Sequence, residues 1–366
     1  MSVLSERGVR ERPSAEAARL TARAPNRSTM TSGKISREFF EEKIAPRLGA
    51  ERDDVALGPK HGVDFGVIDI ADRAVVTATD PVSVLPALGF ERAGTFALGI
   101  VLSDVAVSGI APTHLTISFS LPPEMTDREF DRLWGAIDAE CRDLGVSVVT
   151  GHTARYPGAS FPWVGAATAI GVGDPERIVR PDGARPGDDI LVTKGPAVEA
   201  VGLLTTLFPD AVGLSGEPLA TAQARLDDVG AVRDALVAAA AGRVTAMHDA
   251  TEGGLLGAFH EVADSAGVRL SIDSAAVPRL AGIEAACKAL GMDPWRATTS
   301  GTLVIAVDPE STDAVLAALE GRGTPVAVAG RVEAGSGVEL DGRDPGTPTG
   351  DASWAVYERL LDASER

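Results

Sequence analysis

The sequence predicts an α+β fold in two mixed domains, and three observations carry that prediction. Residues 67–70 and 74–78 read as two strands joined at Ala71-Asp72-Arg73, and alternating helix and strand patterns follow them. A second series of strands and helices starts at residue 190. Between the two series lies a stretch over 181–189, rich in Pro, Gly and Asp, which sets the domain boundary near Arg180. The expected organisation is a disordered tail over 1–30, an N-terminal domain over 31–180, a C-terminal domain over 181–345 and a closing segment over 346–366.

Residues 1–30 are rich in Arg, Ala, Ser and Pro without apolar periodicity, so they bury too little to offset the entropy of ordering. Met30 is an alternative start. Residues 36–48 set Phe39, Phe40, Ile44 and Leu48 near one face of an amphipathic helix. Residues 96–110 are apolar and small, which fits a buried helix, and 115–120 read as a strand before Pro122. Thr126 and Glu129 form a capping box, and Gly145 closes the helix that the box opens. Residues 146–149 read as a short buried strand running into the turn Thr150-Gly151-His152-Thr153, and 163–172 as another strand.

In the second half, 190–193, 244–247, 269–272, 303–307 and 326–328 read as strands. Helices are expected from residue 197 and over 255–266. Residues 214–226 are weakly patterned. From Gly335 onward the chain reads as irregular, closing on a helix over 354–361.

Composition narrows the function classes. With 366 residues, 45% hydrophobic and only 4% aromatic, the chain can fill two cores from Ala, Val, Leu and Ile. No run approaches the roughly 18 apolar residues of a membrane span, and the first thirty residues hold no secretory apolar region. Cys141 and Cys287 are too few for a disulfide framework, so a cytoplasmic location is expected. The net charge of −18 repels nucleic acid and anionic membrane, which are bound by Lys and Arg. It does not repel ATP accompanied by Mg²⁺, whose charge compensates at the site. Many Asp and five lysines also fit a halophile-like, acidic proteome.

Aspartates carry the candidate chemistry. Asp104 stands on an otherwise apolar helix, where a lone carboxylate is costly unless paired or bound to a cation. A metal ligand and an internal cap or salt bridge both answer that cost. Asp64 precedes the first hairpin strand and Asp80 follows the second, so the hairpin returns them beside each other. Mg²⁺ favours such hard oxygen ligands, although strand-end aspartates are also ordinary turn formers. Thr150, Gly151, His152 and Thr153 follow a strand and offer donors to phosphate, a weak signal by itself. His248-Asp249-Ala250-Thr251-Glu252-Gly253-Gly254 leads from strand to helix, where free N–H groups can cradle phosphate. There Asp249 or Glu252 either holds metal or caps the helix. Lys60 and Lys194 are read either as phosphate contacts or as solvated surface lysines. No Walker-type, dinucleotide, H-E-x-x-H or C-x-x-C motif stands in a fitting context.

The succession VDFGVIDI, TATDPVS, SDVAVSGIAP, VVTGHT, HDATEGGLLG and TTSGTLVIAV resembles the aminoimidazole-ribonucleotide synthetase (PurM-like) superfamily, in order from about residue 35 to 332. SDVAVSGIAP and HDATEGG are most similar to the hydrogenase-maturation protein E branch and to archaeal synthase-related proteins. The resemblance implies a two-domain fold whose N-terminal sheets join across a homodimer, with ATP and Mg²⁺ as cofactors. Exposed sheet edges at 67–78 and 115–120 are the expected interface. It also implies that Asp64, Asp80 and Asp104 are Mg/ATP aspartates, with Asp64 and Asp104 catalytic. Thr150, Gly151 and Thr153 match the phosphate-contacting turn, and His152 stands where other branches have Asp. Lys60, Asp249, Thr251, Gly253 and Gly254, read from the residues above, complete the candidate ATP contacts.

Hydrogenase-maturation protein E ends in a group-carrying cysteine, whereas this sequence ends Leu361-Asp362-Ala363-Ser364-Glu365-Arg366. Selenophosphate synthetase needs an N-terminal Cys or selenocysteine, and no Cys precedes Cys141, so neither of these two activities is expected here. The expected function is a Mg-ATP-dependent phosphotransferase, or a ligase- or dehydratase-like enzyme, activating an oxygen of a small-molecule substrate. The alternatives are a catalytically inactive nucleotide-binding assembly or regulatory protein, and a thiamine-monophosphate kinase-like enzyme.

Overall fold

The computed structural model describes residues 33–364, so the tail expected over 1–30 lies outside the described residues. The continuous helix expected over 36–48 is broken. Helix α1 (Arg37–Phe39) passes into a wide turn over Phe40–Ile44 and a tight one over Ala45–Arg47. Pro46 accounts for the change, since it lacks an N–H and its ring clashes with the carbonyl four residues back. Phe39, Ile44 and Leu48 remain exposed.

The first sheet has six strands: β1 (Val55–Leu57), β2 (Gly66–Ile70), β3 (Arg73–Ser83), β4 (Pro112–Leu121), β5 (Ser147–Arg155) and β6 (Trp163–Gly173). Their spatial order is β1-β2-β3-β6-β4-β5. The predicted hairpin is β2–β3, closed at Ile70↔Arg73. β3 does not stop at residue 78, because its period-two burial at Ala74, Val76, Ala78 and Val82 carries the pairing through Asp80 and Pro81. Helices α2 (Phe90–Ala106) and α3 (Asp127–Leu144) cover the face to which those side chains point. The capping box at Thr126 and Glu129 is formed as predicted, and Gly145 closes α3 in the left-handed conformation.

Two expectations are corrected by the strand register. Residues 150–153 are not a turn, because they continue β5 in parallel register with β4, from Thr116↔Thr150 to Phe119↔Thr153. Gly151 serves that pairing, since a Cβ there would stand 2.3 Å from the Ile117 carbonyl oxygen. The strands expected to offer pairing edges, β2, β3 and β4, are interior to the sheet. Its edges are β1 and β5.

The second half comprises β7 (Asp189–Thr193), α4 (Val198–Leu207), α5 (Gly216–Gln223), α6 (Val232–Ala241), β8 (Val244–Asp249), α7 (Gly254–Ala266), β9 (Arg269–Ile272), α8 (Ile283–Leu290), β10 (Leu303–Val307), α9 (Thr312–Gly321), β11 (Val326–Glu333), β12 (Gly337–Leu340) and α10 (Ala352–Ser364). The second sheet runs β12-β9-β11-β7-β10-β8. Every residue of β7 and β10 is buried, as strands covered on both faces require. The weakly patterned region contains α5, whose single buried residue, Ala222, leaves little periodicity to read. The segment from Gly335 is not wholly irregular, because β12 adds to β9 in parallel and buries Val338.

Helix α2 ties the two sheets together. Its apolar side chains share one core with α6 and with Leu191, Met247, Leu303 and Ile305 of the second sheet. Helix α7 packs on the opposite face through Leu255, Phe259 and Val262. No helix among the described residues is long and apolar enough to cross a membrane.

Candidate functional site

Four of the sequence-predicted aspartates converge where the first sheet meets the end of β8. Asp64 lies two residues before β2, and Asp80 shares the buried-face register of β3. Asp104 sits in the last turn of α2, and Asp249 is the last residue of β8. Burial raises the Asp104 pKa well above the usual carboxylate range, reinforced by the charges of Asp249, Asp80 and Asp64 and by a hydrogen bond with Asp80. Burial also raises Asp64, against the opposing pull of His248.

His248 is the hub of this cluster. Its Nδ1 lies 2.8 Å from Asp64 Oδ2 and 3.9 Å from Asp249 Oδ1, while Nε2 lies 2.8 Å from Glu261 Oε2. Alternation along β8 explains the geometry, since successive side chains face opposite sides of a strand. His248 turns with Ala246 toward α7, where Glu261 stands, and Asp249 turns with Met247 toward the core that holds α2. Burial disfavours the imidazolium, but Asp64, Asp249 and Glu261 outweigh it and raise the His248 pKa well above its ordinary value. Burial would raise Glu261, yet His248, Lys34 and His61 hold it down to about 2. His248 Nδ1 and Asp249 Oδ1 are solvent-inaccessible and have no aligned hydrogen-bond partner.

Lys34, His248 and Glu261 are the site residues that sequence reasoning missed. The Lys34 N–H donates to Glu252 Oε2 at 2.6 Å, and its Nζ donates to Thr251 Oγ1 at 3.1 Å. Desolvation works against its charge, but Glu261, Asp64, Asp249 and Asp104 together raise its pKa above the ordinary lysine value. Scarcity of lysine in so acidic a chain is the available signal, and it points instead to Lys60 and Lys194. Lys194 is committed internally, 3.0 Å from Asp234 and donating to the carbonyls of Asp228 and Gly230. Lys60 lines a separate cavity of about 240 Å³ with Arg37, His61, Asp182 and Asp264.

Other expected contacts are also placed elsewhere. The Gly253 N–H donates to Asp351 Oδ2 at 2.8 Å and the Gly254 N–H to the Thr251 carbonyl at 3.0 Å, so neither donor is free at the start of α7. Gly254 is needed for packing, because a Cβ there would stand 2.6 Å from the Trp295 carbonyl oxygen. Asp80, Ala167, Ile117 and Gly151 form one row across β3, β6, β4 and β5. That row spans three strand spacings, about 14 Å. Thr150 and His152 point to the other face, in the row Thr79-Thr168-Thr116-Thr150 and its neighbour. Thr150, Gly151, His152 and Thr153 therefore do not meet the carboxylate cluster within one chain.

Comparison with known proteins places this arrangement in a family. Residues 62–172 match the model of the AIR synthase related protein N-terminal domain, and residues 185–343 match that of its C-terminal domain. The carbamoyl dehydratase HypE of Rhizobium leguminosarum bv. viciae is 30% identical over 287 residues, covering 75% of this chain and 77% of that protein. The crystal structure of E. coli HypE superposes with a TM-score of 0.66 at 26% identity, over 86% of this chain and 96% of that one. A structure of hydrogenase maturation protein HypE in complex with ATP gives a TM-score of 0.60 at 25% identity, over 83% of this chain and 88% of that one. The chain belongs to the AIR synthase related family, in its hydrogenase-maturation branch.

Proposed function

We propose that this chain is an ATP-dependent enzyme that activates an oxygen of a small-molecule substrate by phosphoryl transfer, acting as a dehydratase or a small-molecule kinase. The observation that carries the reading is the convergence of Asp64, Asp80, Asp104 and Asp249 at one junction, under the influence of a single lysine. The relatives named carbamoyl dehydratase and the related structure solved with ATP point the same way.

The donor set fits Mg²⁺, which takes hard oxygen ligands, and Asp249 Oδ1 is buried without a hydrogen-bond partner. Asp64, Asp80 and Asp104 would hold the ion, with Asp249 beside them. When bound, Mg²⁺ supplies the positive charge that a triphosphate needs among carboxylates. Lys34 adds a further cation at the same place. A phosphorylated substrate oxygen becomes a leaving group, and its departure as phosphate completes a dehydration. Cys141 and Cys287 are both buried, with thiols pushed up to about 11 and about 12, so neither suits a thiolate that carries the reacting group.

The homodimer is part of this reading, with its interface moved to the free edge strand β5. Val148, Val149 and Tyr156 are exposed on or beside that edge. The sheet face opposite α2 and α3 presents Ile70 and Val172 to solvent. Association of two copies covers both the edge and the apolar side chains. Thr150 through Thr153 then serve the nucleotide only across that association.

The test is ATP consumption in the presence of Mg²⁺ and fractionated small-molecule pools. A fraction that stimulates ADP release should yield a product that has gained a phosphoryl group or lost water. ADP release that no fraction raises above background contradicts the proposal.

A further inference from the structure

We propose that the cavity beside Lys60 and His61 binds a small aliphatic monocarboxylate, which acts as an effector on Asp64 through the loop that joins them. The proposal goes beyond the ATP reading and stands without it.

Four separate segments build the cavity. Arg37 comes from α1, Leu57 to Val63 from the end of β1 and the loop after it, Pro181 and Asp182 from the stretch before β7, and Asp264 and Ser265 from the last turns of α7. Its volume of about 240 Å³ falls below the usual range of roughly 300–1,000 Å³ for ligand pockets. A small metabolite fits that space and a nucleotide does not. None of Asp64, Asp80, Asp104 and Asp249 lines it, so it is separate from the carboxylate cluster.

The lining selects the ligand's charge and body. Leu57 and Pro181 are buried and Val63 is half-buried, which gives an apolar wall. Two of the acids at the rim already have cations: Asp264 lies 2.8 Å from Arg37, and Asp182 lies 2.8 Å from Arg180. Lys60 acts on Asp182 through its charge, yet among the described residues its ammonium has no ion pair or hydrogen bond. One uncommitted cation matches one negative charge. A phosphate dianion would leave half its charge unmatched beside Asp182 and Asp264. His61 supplies the second observation, because its Nδ1 is buried without a hydrogen-bond partner. Buried polar atoms are rarely left so, and in the Nδ1–H tautomer a ligand carboxylate accepts from it.

The same wall is coupled to Asp64. Lys60, His61, Gly62 and Val63 lead directly into that residue. Gly62 seats the loop on α7, with φ at +73° and room for a Cβ only 3.0 Å from Glu261 Cγ. The charge of His61 is one of the influences that hold the Glu261 carboxyl down. Glu261 in turn lies 2.8 Å from His248 Nε2, and His248 Nδ1 lies 2.8 Å from Asp64. An occupant that draws on Lys60 and His61 therefore displaces Asp64 along the backbone and through the Glu261–His248 contact. By linkage, whatever occupies the Asp64 site alters the affinity of the cavity in return.

The experiment uses the full chain without nucleotide or metal, with butyrate as the probe. The ring resonances of the five histidines, assigned by substitution in ¹³C-histidine-labelled protein, report the site. Butyrate should bind saturably, shifting His61 directly and His248 through Glu261, with His114 unmoved. Lys60→Gln should weaken binding at least about tenfold, the effect of losing a hydrogen bond to a charged group. Lys60→Arg keeps the charge and should stay within about threefold. Lys288→Gln, on an exposed position of α8, should change nothing. No saturable shift of His61, equal affinity in Lys60→Gln, or equal binding of butylamine overturns the site. Inorganic phosphate that shifts His61 at lower concentration than butyrate overturns the monocarboxylate assignment, and an unmoved His248 overturns the link to Asp64. Calorimetry with Mg-ATP on the same preparations separates the two readings. Butyrate binding without ATP binding sinks the ATP reading alone, and the reverse result sinks only this site.

Discussion

His248 Nδ1 and Asp64 Oδ2 stand 2.8 Å apart, and this contact joins the end of a second-sheet strand to the approach of a first-sheet strand. Glu261 closes the arrangement from α7 at 2.8 Å on the other ring nitrogen. Asp64 is therefore held by both halves of the molecule. Any rearrangement of the halves moves a predicted ATP-site ligand.

Asp234 gives a test of stability that does not involve the site. It is buried against Lys194 at 3.0 Å and also accepts from Arg322 and Thr324. Burial opposes its charge, but Lys194 and these hydrogen bonds lower its pKa below the ordinary value. Asp234→Asn leaves a buried lysine uncompensated, and the expected loss at neutral pH is about 3–5 kcal/mol. The folded pKa lies below the unfolded one, so the stabilisation is complete above the unfolded carboxylate pKa and is lost as pH falls through the folded value. Denaturant titrations should show the gap between wild type and mutant closing in acid. A gap that persists unchanged in strong acid contradicts the assignment.

Lys34 should matter most when no divalent ion is present. Lys34→Met removes the one lysine whose charge is felt with those of Glu261, Asp64, Asp249 and Asp104. Metal-free thermal stability should fall by on the order of 1 kcal/mol, a value kept small because the residue is solvent-accessible. Added Mg²⁺ should then stabilise the mutant more than the wild type. Thermal melts with and without the ion measure both effects, and identical responses would remove Lys34 from the site.

Val149 is 53% exposed on the edge strand β5. Val149→Arg introduces charge where a second copy is proposed to pair, and it should shift light scattering from dimer to monomer at micromolar concentration. Its melting temperature as a monomer should stay close to that of the wild type when both are diluted. A wild type that is monomeric throughout contradicts the proposed interface.

Much of the fold is legible from local chemistry. The Thr126–Glu129 capping box, the turn between β2 and β3, the apolar run inside β7 and the all-apolar β10 are signals contained within a few residues. The aspartates stand out because Asp104 interrupts an apolar helix. What is not legible depends on register and distance in the chain. Only the pairing of β4 with β5 shows that Thr150 belongs to a strand and faces away from Asp80. Lys34 and Glu252 are 218 positions apart, and no local pattern links them. Glu261 reads as one more acid on a helix unless its carboxylate is seen against His248.

The central claim is that the aspartate cluster binds ATP through a divalent ion, and Asp104→Asn tests it most directly. Burial and the charges of Asp249, Asp80 and Asp64 raise the Asp104 pKa well above the unfolded value. Ionised Asp104 therefore destabilises the metal-free fold, and that penalty grows as pH rises from the unfolded pKa toward the folded one. Asn removes the penalty, so the metal-free mutant should melt at the same or a higher temperature than the wild type. It should also lose the negative charge that holds the ion beside the triphosphate. Calorimetric titration with ATP, with and without Mg²⁺, is the decisive measurement. The account predicts Mg-dependent binding by the wild type and at least about a tenfold loss in Asp104→Asn, roughly 1.4 kcal/mol. Equal affinity in all four titrations would contradict it.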